Sequence, residues 1–222
     1  MIEEKTCNYL YEELSLIKPK IFNGINEESL KMLIKLLYGR VKKYKAKATI
    51  WKANSIHKEI GIILDGELQS INPLKDEEII QRFRTGDSFG EAVAFDKGLS
   101  WAEIIAAKDC KILFISADKI LENQNDPAVS KIMANLLIEF SKKLALMSFK
   151  NQLLSEASIR NRLLIYLSSL PTDKNGYKTI PFLQKDLAQY LNVNKSAFNR
   201  ELARMKQEKL IEVQQNKIKV KC

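Results

Sequence analysis

The chain has 222 residues, 45% of them hydrophobic, with a formal net charge of +9 at pH 7. That content suits one or two globular domains, and the lack of any apolar run of about 18 residues excludes a membrane-spanning helix. The three cysteines, Cys7, Cys110 and Cys222, are far apart and odd in number, which argues against a disulfide framework.

The N-terminal segment MIEEKTCNYLYEEL is acidic and lacks the basic-then-apolar order of a signal peptide, so a cytoplasmic location is expected. Residues 26–37, NEESLKMLIKLL, predict a helix capped by Asn26, with Glu27 and Glu28 at its positive end. From about 40 to 116 the pattern turns to short alternating segments: EIGIIL, ELQSI, EEIIQRF, WAEIIAA and CKILFIS. Turn signals separate them, and Asp65-Gly66 between two apolar runs predicts a hairpin. Many short strands at regular spacing predict a β-barrel or jelly roll.

The only histidine, His57, precedes one of these strands and reads as a surface or half-buried loop residue. With no second histidine, no GxSxG, no P-loop and no GxGxxG, the chain is not expected to be an enzyme. Without a CxxC or a His/Cys cluster, no metal centre or cofactor is predicted within one chain. Cys7 and Cys110 read first as inert thiols, with a redox role as the alternative.

Residues 127–155 predict one long helix with Pro127 near its start. Met133, Leu137, Phe140, Leu144, Met147, Asn151 and Leu154 step by 4 and 3 in alternation, which is a heptad seam with one Asn to fix register. Val129, Ile132 and Leu136 form a second stripe, suited to the chain's own barrel. Two stripes on one helix predict a homodimer. Residues 155–158 break the seam as a hinge, and IRNRLLIYLSSL at 159–170 predicts the next helix.

Residues 182–205 predict two short helices joined by a tight turn, with Leu183, Leu187, Val193, Phe198 and Leu202 meeting in a small core. Asn192 suits the left-handed turn position and Asn194 a helix cap. Lys195, Ser196, Asn199 and Arg200 then point away from that core, as base- and phosphate-contacting side chains must. LIEVQQNKIKV reads as two strands of a wing around Gln215-Asn216. Charge placement agrees. Residues 150–222 carry 14 Lys and Arg against 6 Asp and Glu, whereas residues 1–149 carry 22 against 21. A folded basic module of this kind suits the phosphate backbone of double-stranded DNA.

GDSFGEAVAF at 86–95, DLAQYLNVNKSAFNREL at 186–202 and the following KQEKLIEV are similar to segments of the CRP/FNR family of bacterial transcription regulators. The resemblance implies an α+β chain: a cyclic-nucleotide-binding-like β-barrel or jelly-roll sensor (1–126), a long dimerisation helix and hinge (127–157), and a winged helix-turn-helix (158–222). It also implies a homodimer on a near-palindromic DNA site, with RNA polymerase as a further partner and no membrane association. Arg200 matches the family's guanine-reading arginine, and Lys195 a position that is often basic. Ser196 stands where the best-studied members carry Glu, which implies a different half-site.

The sensor departs further. The family's cyclic-AMP binders follow Gly-Glu with Arg-Ser-Ala or Arg-Thr-Ala, the Arg pairing with the phosphate. Here Gly90-Glu91 is followed by Ser100-Trp101-Ala102, and Ala145 and Leu146 stand where those binders have Thr and Ser. The departures imply that cyclic AMP is not the effector. Phe89, Gly90, Glu91, Ser100, Trp101 and Leu146 would then line a site for another small molecule, with Arg82 and Arg84 placed to pair with an acid group if they point inward; the equal alternative is a packed barrel with no ligand and those arginines in solvent. An alternative reading is a cyclic-nucleotide-type module acting through protein–protein contacts, which leaves the basic wing unexplained.

Overall fold

A computed structural model describes residues 4–74, 78–181 and 184–221, with the side chains of 4–9, 184 and 185 outside it. Leu183 and Cys222, and the side chain of Cys7, therefore lie outside the described residues. The chain divides into two compact units, residues 1–140 and 141–222.

The first unit begins with α1 (Glu4–Ile17), a single 3-10 turn (Lys20–Phe22) and α2 (Glu27–Leu36). Asn26 caps α2 by accepting from the Ser29 amide at 2.9 Å, so the expected start holds. Eight strands follow: β1 (Arg40–Tyr44), β2 (Thr49–Trp51), β3 (Glu59–Asp65), β4 (Glu67–Asn72), β5 (Glu78–Arg84), β6 (Ser88–Phe89), β7 (Glu103–Ala106) and β8 (Cys110–Ser116). They form two antiparallel four-stranded sheets, ordered β1-β8-β3-β6 and β2-β7-β4-β5. This is the jelly roll expected from the alternation.

Asp65-Gly66 is not a hairpin. β3 pairs with β6 and β8, and β4 with β5 and β7, so the dipeptide carries the chain from one sheet to the other. Gly66 has φ +98, and a Cβ there would lie 2.4 Å from the Asp109 carbonyl oxygen. An Asp-Gly step supplies the reversal. Which strands then pair is decided by the distant residues that bury both faces.

The sheets enclose an aromatic interior. Phe89 is 1% exposed and meets Phe83, Phe114 and Trp51 at ring separations of 6.0, 6.2 and 5.1 Å. The outer face of the first sheet packs under the helices. There Leu113, Ile115, Ile62 and Leu64 join Leu10, Leu14, Leu33 and Ile34 in a second core. Two more short helices, α3 (Glu91–Asp96) and α4 (Ala117–Glu122), flank the sheets.

The long helix is α5 (Pro127–Ser155). Asp126 caps it, accepting from the amides of Ala128 at 2.8 Å and Val129 at 3.1 Å, so Pro127 sits where no amide is needed. Val129, Ile132 and Leu136 are buried in the first unit, as the second stripe requires. Asn135, which the stripes do not explain, donates to the carbonyls of Ile21 and Asn23.

The second unit contains the end of α5, then α6 (Ile159–Ser168), β9 (Lys178–Thr179), α7 (Gln184–Tyr190), α8 (Lys195–Gln207), β10 (Ile211–Gln214) and β11 (Lys217–Val220). Its core gathers Leu153, Leu163, Leu167, Leu187, Phe198, Leu202, Met205, Ile211 and Ile218. β10 and β11 form the expected wing, and β9 adds a third strand on β11.

Candidate functional site

The helix pair in the second unit is built by its turn. Asn192 has φ +52, its amide donates to Gln189 O, and Val193 N donates to Ala188 O. Asn194 then caps α8, accepting from the amides of Ser196 at 2.9 Å and Ala197 at 3.3 Å. Ala188 is 1% exposed, leaving α7 and α8 room to approach.

α8 divides into two faces. Phe198, Leu202 and Met205 are buried in the core. Lys195, Ser196, Asn199 and Arg200 are exposed. None of these four side chains makes a hydrogen bond or ion pair among the described residues. Their neighbours are committed. Arg160 on α6 donates to Glu201 and Glu208 at 2.7 Å each, and Arg204 donates to Glu208 at 2.9 Å. Those carboxylates raise the pKa of Arg160 above its usual value. The network clamps α8 to α6 and leaves the first two turns of the exposed face unencumbered.

Two residues of this arrangement were not singled out by the sequence pattern. Arg160 is one. Arg162 is the other: its guanidinium donates to the carbonyls of Glu156, Leu191 and Asn192 at 2.7, 3.0 and 3.2 Å. It ties the turn of the helix pair to α6. Apart from the bond to Glu156, these contacts join positions 29 to 48 residues apart, so no local spacing announces them.

The wing adds positive charge beside this unit's core. Lys217 pairs with Asp173 at 3.0 Å, and Lys219 donates to the Asn175 carbonyl at 2.9 Å, fixing the 173–176 loop against β11.

The residues expected at the effector site are distributed unevenly. Phe89 belongs to the aromatic interior and is not a wall of open space. Gly90 has φ +86 and caps α3, with the indole of Trp51 so close that a Cβ would lie 1.9 Å from its ring. Glu91 is 6% exposed and accepts from Ser88 Oγ at 2.5 Å. Ser100 is 4% exposed and donates to Ala102 O at 2.6 Å, so it offers nothing to an anion. Trp101 is 66% exposed, two residues beyond Leu99, which bridges Ile56; both of those are also exposed. Leu146 lies in the second unit, exposed. Arg82 and Arg84 face outward: β5 buries only Phe83, and Arg82 bonds Glu67 at 3.4 Å.

His57 stacks on Trp51 with rings 4.1 Å apart and 3° from parallel. Its Nε2 is enclosed with no hydrogen-bond partner among the described residues, and burial lowers the imidazole pKa below the ordinary 6.5. The half-buried loop histidine expected from the sequence is therefore also the back of the indole that closes on Gly90. Cys110 is buried, and burial raises its thiol pKa, which is the profile of an inert thiol.

On α5 the expected seam splits. Met133 packs partly on the first core and Leu154 partly on the second. Leu137, Leu144 and Met147 are 66%, 66% and 62% exposed. Asn151 is exposed and Phe140 half-buried. Among the described residues no helix is long and apolar enough to cross a membrane, and no group of three or more His, Cys, Asp or Glu is placed to hold a metal.

Residues 41–123 match the family model of the cyclic nucleotide-binding domain, and residues 161–221 that of the Crp-like helix-turn-helix domain. No curated protein sequence matches the chain. Among solved structures, a regulatory protein from Silicibacter pomeroyi DSS-3 is similar at 19% identity over 95% of both chains, TM-score 0.50. A cyclic nucleotide-binding domain from Methylobacillus flagellatus KT is 19% identical over 63% of this chain and 80% of its own, TM-score 0.55. The sensor domain of the regulator DNR from Pseudomonas aeruginosa is 16% identical over 69% of this chain and 99% of its own, TM-score 0.54. At these identities the structures speak for the fold alone. The succession on one chain of a cyclic nucleotide-binding domain, a long helix and a Crp-like helix-turn-helix places this protein in the CRP/FNR family of DNA-binding transcription regulators.

Proposed function

We propose that the protein is a homodimeric regulator that reads a near-palindromic DNA site through Lys195, Ser196, Asn199 and Arg200 and takes its signal from something other than cyclic AMP. The observation that carries the DNA reading is the exposed face of α8. Four polar side chains stand free on it while Arg160, Glu201, Arg204 and Glu208 beside them are locked together. Free donors on a rigid helix pay little to be ordered against base edges. Arg200 is assigned to guanine, Lys195 to a phosphate or base, and Ser196 and Asn199 to adjoining edges or phosphates.

The dimer reading rests on Leu137, Leu144 and Met147, large apolar side chains exposed on one stripe of α5. Met133, Phe140, Asn151 and Leu154 continue that stripe at heptad spacing. The division into a sensor (1–126), a dimerisation helix with hinge (127–157) and a DNA-binding module (158–222) belongs to the same proposal. So does RNA polymerase as the partner met on DNA.

Independence from cyclic AMP is supported by two features. Ser100 stands where a phosphate-pairing arginine is expected and is already bonded to a backbone carbonyl. A buried phosphate without its cation is costly. Trp51 closes on Gly90, beside the Glu91 that would bond a ribose.

The test is Arg200→Ala. The variant should keep its circular dichroism and melting temperature and lose about 1–3 kcal/mol of specific DNA affinity, relaxing selectivity at one position of each half-site. Unchanged affinity and selectivity would contradict the assignment of α8 and favour a protein–protein role. Micromolar binding of cyclic AMP by calorimetry would contradict the sensor reading.

A further inference from the structure

A groove of about 560 Å³ lies in the first unit between the end of α1 and the outer face of the β1-β8-β3 sheet. That is a size typical of small-molecule sites. Its apolar surface comes from Leu16, Ile17 and Leu64. Leu16 is 83% exposed, an unusual position for a leucine beside so much apolar surface.

The charges in this groove follow from strand register. Lys111 on β8 is paired directly with Lys43 on β1 and with Asp65 on β3, so the three form one row across the sheet. Leu113 and Ile115, two and four residues further along β8, face the helices, which puts Lys111 on the same side. Lys111 is held by Glu13 of α1 at 2.5 Å, and Lys45 at the rim is held by Asp109 at 2.8 Å. That leaves the side chains of Lys43 and Asp65, one at each end of the row, with neither a hydrogen bond nor an ion pair among the described residues.

Like charges placed directly opposite on a sheet are destabilising, and Lys43 faces Lys111 with no carboxylate of its own. Asp65 has no cation of its own. Lys111, itself paired with Glu13, lies between the two in the row. They flank a strand, so their backbones are about 10 Å apart. One molecule carrying both an anionic and a cationic group on a short span, with an apolar body, satisfies both ends and covers the exposed Leu16.

We infer that this groove binds a small zwitterion with an apolar side chain, an apolar α-amino acid by chemical class. Its carboxylate meets Lys43, its ammonium meets Asp65, and its side chain lies on Leu16, Ile17 and Leu64. The groove lies wholly in the first unit, and its occupancy does not depend on how α8 reads DNA.

The test is calorimetry on the full chain with three isosteric probes: L-leucine, 4-methylpentanoate, which lacks the ammonium, and 3-methylbutylamine, which lacks the carboxylate. Leucine should bind tightest. Lys43→Gln should weaken leucine about tenfold or more and the acid likewise, leaving the amine unchanged. Asp65→Asn should weaken leucine and the amine and leave the acid unchanged. Both positions are exposed, so folding is not at stake. Absence of leucine binding up to about 10 mM overturns the inference. So does equal leucine binding by wild type and both variants. A loss confined to one variant overturns the zwitterion class.

Discussion

Trp51 closes on Gly90: a Cβ added to the glycine would lie 1.9 Å from the indole ring. Two restrictions coincide there, because Gly90 also has φ +86. Gly90→Ala must both strain the backbone and displace a tryptophan that is 6% exposed. Each effect costs about 1–3 kcal/mol. The variant should unfold at clearly lower urea, by at least about 2 kcal/mol. An unchanged midpoint would show that the indole is not held there.

His57 makes the first unit sensitive to acid. Burial lowers its pKa in the folded chain below the ordinary 6.5. The unfolded chain therefore takes up the proton first as pH falls. Stability from the neutral imidazole is complete above about 6.5 and is lost below it, as pH approaches the depressed folded value. Because His57 is the only histidine, His57→Gln should flatten the stability profile between about pH 5 and 7. A profile identical to wild type would assign the slope to carboxylates instead.

Much of the fold was legible because its signals are local. The α2 cap, the limits of α5 and the wing each follow from residues within one turn or one strand. The free face of α8 follows from its spacing and cap. What the sequence hid is carried by distant partners. Asp65-Gly66 marked a reversal but not that β3 and β4 join different sheets. Arg82 and Arg84 could have faced either way, and only the burial of Phe83 decides that they face out. The Trp51–His57 stack, and the hold of Arg162 on Leu191 and Asn192, join residues that no periodicity connects.

The α5 stripe separates dimer from fold. Leu144→Lys with Met147→Lys alters two side chains exposed in the single chain. Each loses about 1.5–3 kcal/mol of burial at a partner. Sedimentation equilibrium should find the dimer weakened by at least about 100-fold, with circular dichroism unchanged. A dimer of wild-type strength would contradict the stripe. Leu136→Lys, at a residue 5% exposed, should instead unfold the first unit.

Arg162 ties the turn before α8 to α6, its guanidinium committed to three carbonyls. Hydrogen bonds from a charged group contribute about 1.5–3 kcal/mol each. Arg162→Ala should lower the melting temperature of the second unit and weaken all DNA sequences alike. Lys at that position should recover little, since it cannot span three carbonyls. Loss of selectivity at a single base pair would place Arg162 at a base edge instead.

The most direct measurement is selection of binding sites by the purified protein from random double-stranded DNA. A dimer carrying two copies of α8 should enrich inverted half-sites with centres about 34 Å, one helical turn, apart, and Arg200→Ala should erase one position of each. Enrichment of no motif, or of a single unpaired half-site, would contradict a homodimeric reader of DNA.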